Sequence, residues 1–166
     1  MTMTAMTDVT YRHHAQNRLV LRLTPSGPIV LMPQHLEADN DVVQQFVADA
    51  LAQLPEREPV TEPMTVEQVQ GLVQHWEERL DVSVSRVQVR EMRNKWGSIS
   101  TAGTLTLADD ILHLPQNLAE YVVVHELLHL KFPDHRQVWQ VSMGMYLPDW
   151  REREQWLQGY VGPAIG

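Results

Sequence analysis

The stretch that decides the fold runs from Tyr121 to Trp139 and reads YVVVHELLHLKFPDHRQVW. It contains His125-Glu126-Leu127-Leu128-His129, which is the HExxH pattern. Residues four apart on a helix lie on one face about one turn apart, so both imidazoles can bind one ion. Zinc accepts neutral His nitrogens, and a catalytic zinc keeps three protein ligands and a water. The pattern therefore predicts His125 and His129 as zinc ligands, with Glu126 placed to accept a proton from that water.

A third ligand is expected shortly after the HExxH pattern. His135 lies six residues past His129, and Pro133 between them stops a helix, so the chain can turn back toward the metal. A downstream carboxylate, Glu152 or Glu154, is the alternative third ligand. A closed structural zinc site is a further alternative, although such sites favour four ligands and cysteine, and the chain contains no cysteine. Two core histidines bonded to backbone, with Glu126 in an ion pair, would be the non-metal alternative.

The HExxH segment itself is strongly apolar. Val122, Val123, Val124, Leu127 and Leu128 cover most of the circumference of a helix that is predicted from Pro115 to about Lys131 or Phe132. This helix is therefore expected to be buried. Burying two histidines and a glutamate is costly unless they are coordinated or paired, which favours a metal site.

Strands precede helices along the chain, which predicts an α+β fold. Leucines alternate through Arg18–Thr24, and a Pro/Gly turn separates this strand from a returning strand, so the N-terminal region is a predicted β-hairpin. A capping box at Thr65–Gln68 predicts the start of another helix. The other predicted elements are a helix at 39–54, strands at 87–90 and 104–107, and a last helix from Pro148. Before this last helix, Asp134 is predicted to cap a helix that ends near Tyr146. The predicted core residues of that helix are Val138, Trp139, Val141 and Met145.

One domain is predicted for the chain. Residues 9–160 are expected to form it, with the hairpin and first helix at 9–54, a Pro/Glu-rich connection at 55–63 and the catalytic part at 64–160. Residues 1–8 and 161–166 are expected to be tails.

Length, charge and composition limit the function classes. The chain has 166 residues, which suits one domain, and its net charge of −8 disfavours nucleic acid and anionic membranes as partners. No apolar run approaches the length of a membrane span, and no secretory signal is recognised at the N-terminus, so a cytoplasmic location is expected. The sequence gives no basis for predicting an oligomeric state.

Several motifs together resemble the YgjP-like metallopeptidase family, which is related to the SprT-like and WLM groups. The resemblance covers most of the chain. The motifs that carry it are Arg90-Glu91-Met92-Arg93, Trp96-Gly97-Ser98-Ile99-Ser100, Gly103, Leu105-Thr106-Leu107, Tyr121 to His129, His135, Trp139, Tyr146 to Trp150 and Trp156-Leu157.

The resemblance implies a zincin-like peptidase that acts on protein or peptide substrates. It implies one zinc ion on His125, His129 and His135, with Glu126 as the catalytic acid and base. Two positions depart from the family pattern: Ile99 stands where a cysteine is frequent, and Ala108 where an asparagine is common. The change at 108 could remove a polar contact near the site.

Two other functions stay open at this point. The histidine spacing also resembles the zinc motif of the YbeY-like endoribonucleases, but that family has glycine where this chain has Glu126, and a basic cleft would be expected for RNA. A binding module that holds zinc without turnover is the third possibility.

Overall fold

The computed structural model describes residues 9–24, 27–53, 62–92 and 95–160. It divides into two compact units, one within residues 1–59 and one within 60–166. The predicted tails, and most of the predicted connection at 55–63, lie outside the described residues. A single domain over residues 9–160 therefore stays a prediction.

The first unit contains a three-stranded sheet and one helix. Its elements are β1 (Thr10–His14), β2 (Val20–Thr24), β3 (Gly27–Pro33) and α1 (Asp41–Ala52). The central strand β3 pairs antiparallel with β2, as the predicted hairpin requires, and parallel with β1, a strand that was not predicted. Val30 and Met32 of β3 form a buried core with Val43 and Val47 of α1, since alternate strand residues point to one face. The residue that caps α1 is Asn40, whose side chain accepts the N–H of Val42.

The second unit combines another three-stranded sheet with four α-helices among its described residues. Its elements are α2 (Val66–Leu80), β4 (Arg86–Arg90), β5 (Gly97–Ile99), β6 (Thr104–Ala108), a 3-10 helix (Asp109–His113), α3 (Gln116–Leu128), α4 (Gln137–Tyr146) and α5 (Trp150–Gln158). The central strand β6 pairs parallel with β4 and antiparallel with β5. The predicted capping box of α2 is confirmed, because the Thr65 and Gln68 side chains each accept the other's backbone N–H.

The predicted central helix is α3, and it is as buried as the sequence implied. Every residue from Tyr121 to Leu128 is buried, and the helix packs against α2, α4, α5 and β5. It ends at Leu128, earlier than the predicted end at Lys131 or Phe132. The reason is local. After Leu128 the backbone forms 3-10-type hydrogen bonds between residues three apart, such as the one from the His129 N–H to the Glu126 carbonyl, and Pro133 follows.

The helix after the third histidine departs from the prediction in two ways. It begins at Gln137 with Arg136 as its cap, because Asp134 instead accepts the Arg136 N–H in a turn before the helix. Its buried side is formed by Trp139 and Met143. Val138, Val141 and Met145, which were predicted to be core residues, are more than half exposed because they lie on the opposite face of α4.

Among the described residues, no helix has the length and apolarity that crossing a bilayer requires.

Candidate metal centre

Three histidines meet at the end of α3. His125 lies in the last turn of α3, and His129 is the residue that caps its C-terminus in a helical conformation, so the two side chains remain on one face. The turn through Pro133 brings His135 back to the same place. Its Nε2 lies 3.0 Å from Nε2 of His125 and 2.9 Å from Nε2 of His129.

These nitrogens fit a zinc-sized ion. Ligand nitrogens about 2.0–2.1 Å from a tetrahedral ion lie about 3.3 Å apart, close to the separations here. The group comprises one buried, one half-buried and one exposed histidine, which leaves an open side. Burial and the neighbouring His129 lower the pKa of His135, which favours the neutral ring that binds metal ions.

The other ring nitrogens of two histidines have partners that fix the rings. Nδ1 of His129 donates to the carbonyl oxygen of Phe132 at 3.0 Å, so Nε2 of the neutral ring keeps its lone pair. Nδ1 of His125 lies 3.3 Å from the hydroxyl of Tyr121, one helical turn earlier. Burial raises the pKa of Tyr121, so this hydroxyl stays protonated.

Trp139 packs against all three histidine rings. Its ring centroid lies 4.9 Å from that of His125, 6.0 Å from that of His129 and 4.8 Å from that of His135. The contact with His129 is stacked, at 22° between the planes, while the other two are closer to edge-on. Trp139 is 3% exposed, and its Nε1 has no hydrogen-bond partner among the described residues. The indole therefore forms an apolar wall behind the histidines.

Glu126 is buried next to the histidines. It is 2% exposed, and its Oε1 has no hydrogen-bond partner within the described part of the chain. Burial raises the pKa of Glu126 to about 8, against an opposing effect of Lys95. A buried carboxyl oxygen without a partner is costly in a purely structural role, which favours a functional role for Glu126.

A cavity of about 480 Å³ opens over this group. Glu126, His129 and His135 line it on one side, and Lys95 with residues 97–101 lines it on the other. The arrangement leaves room for a substrate next to the histidines and the carboxyl group, which is how binding sites in enzymes are usually built.

The structure brings the four predicted site residues together. His125, His129 and His135 form the group of possible metal ligands found among the described residues, and neither Glu152 nor Glu154 belongs to it. Two further side chains at the site were missed from the sequence. Tyr121 could have been found from its spacing of four residues before His125, whereas no sequence signal distinguishes Lys95.

A buried helix that presents histidines and a glutamate to an open cavity defines the class of metal-dependent hydrolases. The model of the family described as "YgjP-like, metallopeptidase domain" matches residues 34–160, which is more than three quarters of the sequence. The chain therefore belongs to the YgjP-like metallopeptidase family. It is a metallopeptidase, a hydrolase of protein or peptide substrates, as the resemblance implied.

Solved structures of two archaeal proteins are also similar. They are the metallopeptidase zymogens of Pyrococcus abyssi abylysin, with 24% identity and a TM-score of 0.47, and of Methanocaldococcus jannaschii jannalysin, with 22% identity and a TM-score of 0.49. Each match covers 54% of this chain, and 90% and 92% of the respective relatives. Comparison with curated protein sequences gave no significant match.

Proposed function

We propose that the protein is a zinc-dependent peptidase in which His125, His129 and His135 hold one zinc ion and Glu126 is the general base. The observation that carries the proposal is that Nε2 of His135 lies 2.9–3.0 Å from the Nε2 atoms of His125 and His129, beside a buried carboxyl group whose Oε1 has no hydrogen-bond partner among the described residues. The remaining contacts of the rings support it, because they hold the imidazoles with a lone pair available on His129.

Zinc, when bound, polarises the scissile carbonyl and lowers the pKa of a coordinated water. Glu126 accepts a proton from the attacking water as the new C–O bond forms, and then delivers that proton to the leaving amine nitrogen as the C–N bond breaks. The apolar wall of Trp139 and the burial of α3 limit the access of bulk water from behind. Because burial raises the pKa of Glu126, its carboxylate form is a stronger base than that of an exposed glutamate.

The family assignment favours this function over the endoribonuclease that the histidine spacing also resembled. The presence of Glu126 in the cavity supports the same choice. A zinc-holding module without turnover differs from the proposal only in lacking catalysis, so it becomes an outcome of the test. The cytoplasmic location stays a prediction.

The test separates a ligand from a base on one set of preparations. We expect the wild-type chain to bind one zinc per chain and to cleave casein in a reaction that a zinc chelator blocks. Glu126→Gln keeps the size of the side chain but cannot accept a proton. This variant should retain zinc while turnover falls by roughly 10²–10⁴. His129→Ala should lose most of the zinc as well as the activity, because two ligands make a weak site.

Glu78→Gln is the matched control, since it removes an exposed carboxyl from α2, away from the cavity. It should match the wild type in zinc content and in turnover. Loss of zinc from Glu126→Gln would make Glu126 a ligand and refute its role as a base. Zinc binding without casein cleavage would favour the binding module, and chelator-sensitive cleavage of ribosomal RNA alone would favour the ribonuclease.

A further inference from the structure

Gly97, the first residue of β5, lies next to the Glu126 side chain. An added Cβ at this position would lie 3.1 Å from Cγ of Glu126, 3.2 Å from Cδ2 of Leu107 and 3.4 Å from the backbone oxygen of Thr106. The first two separations are shorter than ordinary contacts between carbon atoms, which begin near about 3.5 Å. The absence of a side chain at Gly97 therefore lets the Glu126 and Leu107 side chains pack close to this residue.

The backbone does not explain why this residue is glycine. Gly27 and Gly103 have positive φ angles, which L-residues rarely adopt, but Gly97 is not among the glycines with a positive φ. It pairs with Leu107 in a regular antiparallel register. An alanine could take this conformation, so only the space next to Glu126 and Leu107 excludes a side chain.

Packing restrains the Glu126 side chain where it lies next to Gly97. Its Oε1 has no hydrogen-bond partner among the described residues, so no polar contact to this oxygen sets its direction. Cγ of Glu126 lies so near to Gly97 that an added Cβ would press on it, so the glycine affects the position of the carboxyl group. The atoms nearest to a Cβ at position 97 would be those of Glu126, Leu107 and Thr106, which are all buried residues.

We infer that Gly97 is a positioning residue, which sets where the carboxyl group of Glu126 stands relative to the reacting water. The inference rests on the proposed function of Glu126 as the base. Displacing Cγ by a few tenths of an ångström should reduce the rate of proton transfer. It should leave zinc binding unchanged, because position 97 contacts none of the three histidines at close range.

The test measures kcat, KM and zinc content for Gly97→Ala. We expect kcat to fall about ten- to a hundredfold, because small misplacements of a reacting group are costly. We expect KM to stay within about twofold, since the atoms nearest to the added methyl group belong to Glu126, Leu107 and Thr106 and the expected effect is on proton transfer. Zinc stoichiometry should remain one per chain. Gly71→Ala and Gly144→Ala are matched controls, because an added Cβ meets no atom within 4 Å at 71 and only ordinary contacts with Trp150 at 144.

Leu107→Val separates the role of Glu126 from a simple packing defect. This change removes Cδ2 of Leu107, the second atom that an added Cβ at position 97 would approach. The double variant Gly97→Ala/Leu107→Val therefore lacks the close contact with Leu107 but keeps the close contact with Glu126. We expect the double variant to recover the melting temperature of Leu107→Val alone but not its kcat. Recovery of kcat together with stability would overturn the inference.

The proposed function and this inference fail in different ways. Full activity of Glu126→Gln would refute the base itself. If Glu126→Gln is inactive while Gly97→Ala is as active as Gly144→Ala, only the role of Gly97 is refuted.

Discussion

Replacing Trp139 by phenylalanine should weaken metal binding while leaving the fold intact. The indole contacts all three histidine rings and stacks on His129, so the smaller ring leaves the imidazoles less restrained. Removing groups that orient metal ligands typically weakens binding by about 10–100-fold, which corresponds to about 1.4–2.7 kcal/mol. We expect the dissociation constant for zinc to rise by about tenfold, at the lower end, because phenylalanine keeps part of the wall.

The free energy of unfolding should change little, because two effects oppose each other. Phenylalanine buries about 40 Å² less apolar surface, which costs about 1 kcal/mol. It also removes the buried Nε1–H, which has no partner among the described residues, and such a group costs about 1–3 kcal/mol. The net change should therefore stay below about 2 kcal/mol in either direction.

Competition with a chromophoric chelator measures the zinc affinity, and thermal unfolding of the metal-free proteins measures the stability. Trp150→Phe is the control, since Trp150 touches Trp139 at 5.7 Å between centroids but has no ring contact with the histidines among the described residues. A folded Trp139→Phe that binds zinc as tightly as Trp150→Phe would refute the reasoning.

Two further predictions concern stability. Arg153→Met breaks an ion pair with Glu120, in which the two side chains are 14% and 25% exposed. We expect the free energy of unfolding to fall by about 2 kcal/mol, between the values of about 1 kcal/mol for exposed pairs and 3–5 kcal/mol for buried pairs. Thermal unfolding should show a lower midpoint for Arg153→Met than for Arg151→Met, and equal midpoints would contradict this. Asp81 ends α2 with a φ of 53°, a left-handed conformation that glycine adopts more easily. Asp81→Gly should therefore raise the free energy of unfolding by about 0.5–1 kcal/mol, measured by urea denaturation, and a lower value would mean that the aspartate side chain stabilises the helix end.

The central helix and its histidines were predictable because two independent signals coincide there. The apolar residues around the HExxH pattern predicted burial, and the spacing predicted a shared face. His135 was found because Pro133 allowed the chain to turn. The end of α3 was misplaced by three or four residues, since apolar Leu130 continues the helical pattern while the tertiary turn ends it at Leu128.

The helix α4 illustrates why a pattern alone can mislead. Val138, Val141 and Met145 fall on one face, so the sequence favoured burying them. The structure buries Trp139, which was also predicted, together with Met143 and not these three, because the indole fits against the histidines and α5 supplies Trp150. Which of two apolar faces is buried depends on partners distant in sequence. The contact between Gly97 and Glu126 is of the same kind, as 29 positions separate the two residues.

The three histidines lie within an eleven-residue segment, and this affects how metal binding acts on folding. Closing so short a loop costs little conformational entropy, so the denatured chain could also bind the ion through this segment. A ligand that binds both states stabilises the folded one only by the difference between the two affinities. The rise in melting temperature on adding zinc should therefore underestimate the affinity of the folded site. A metal site assembled from distant ligands would not have this property, because its denatured chain holds no comparable chelating segment.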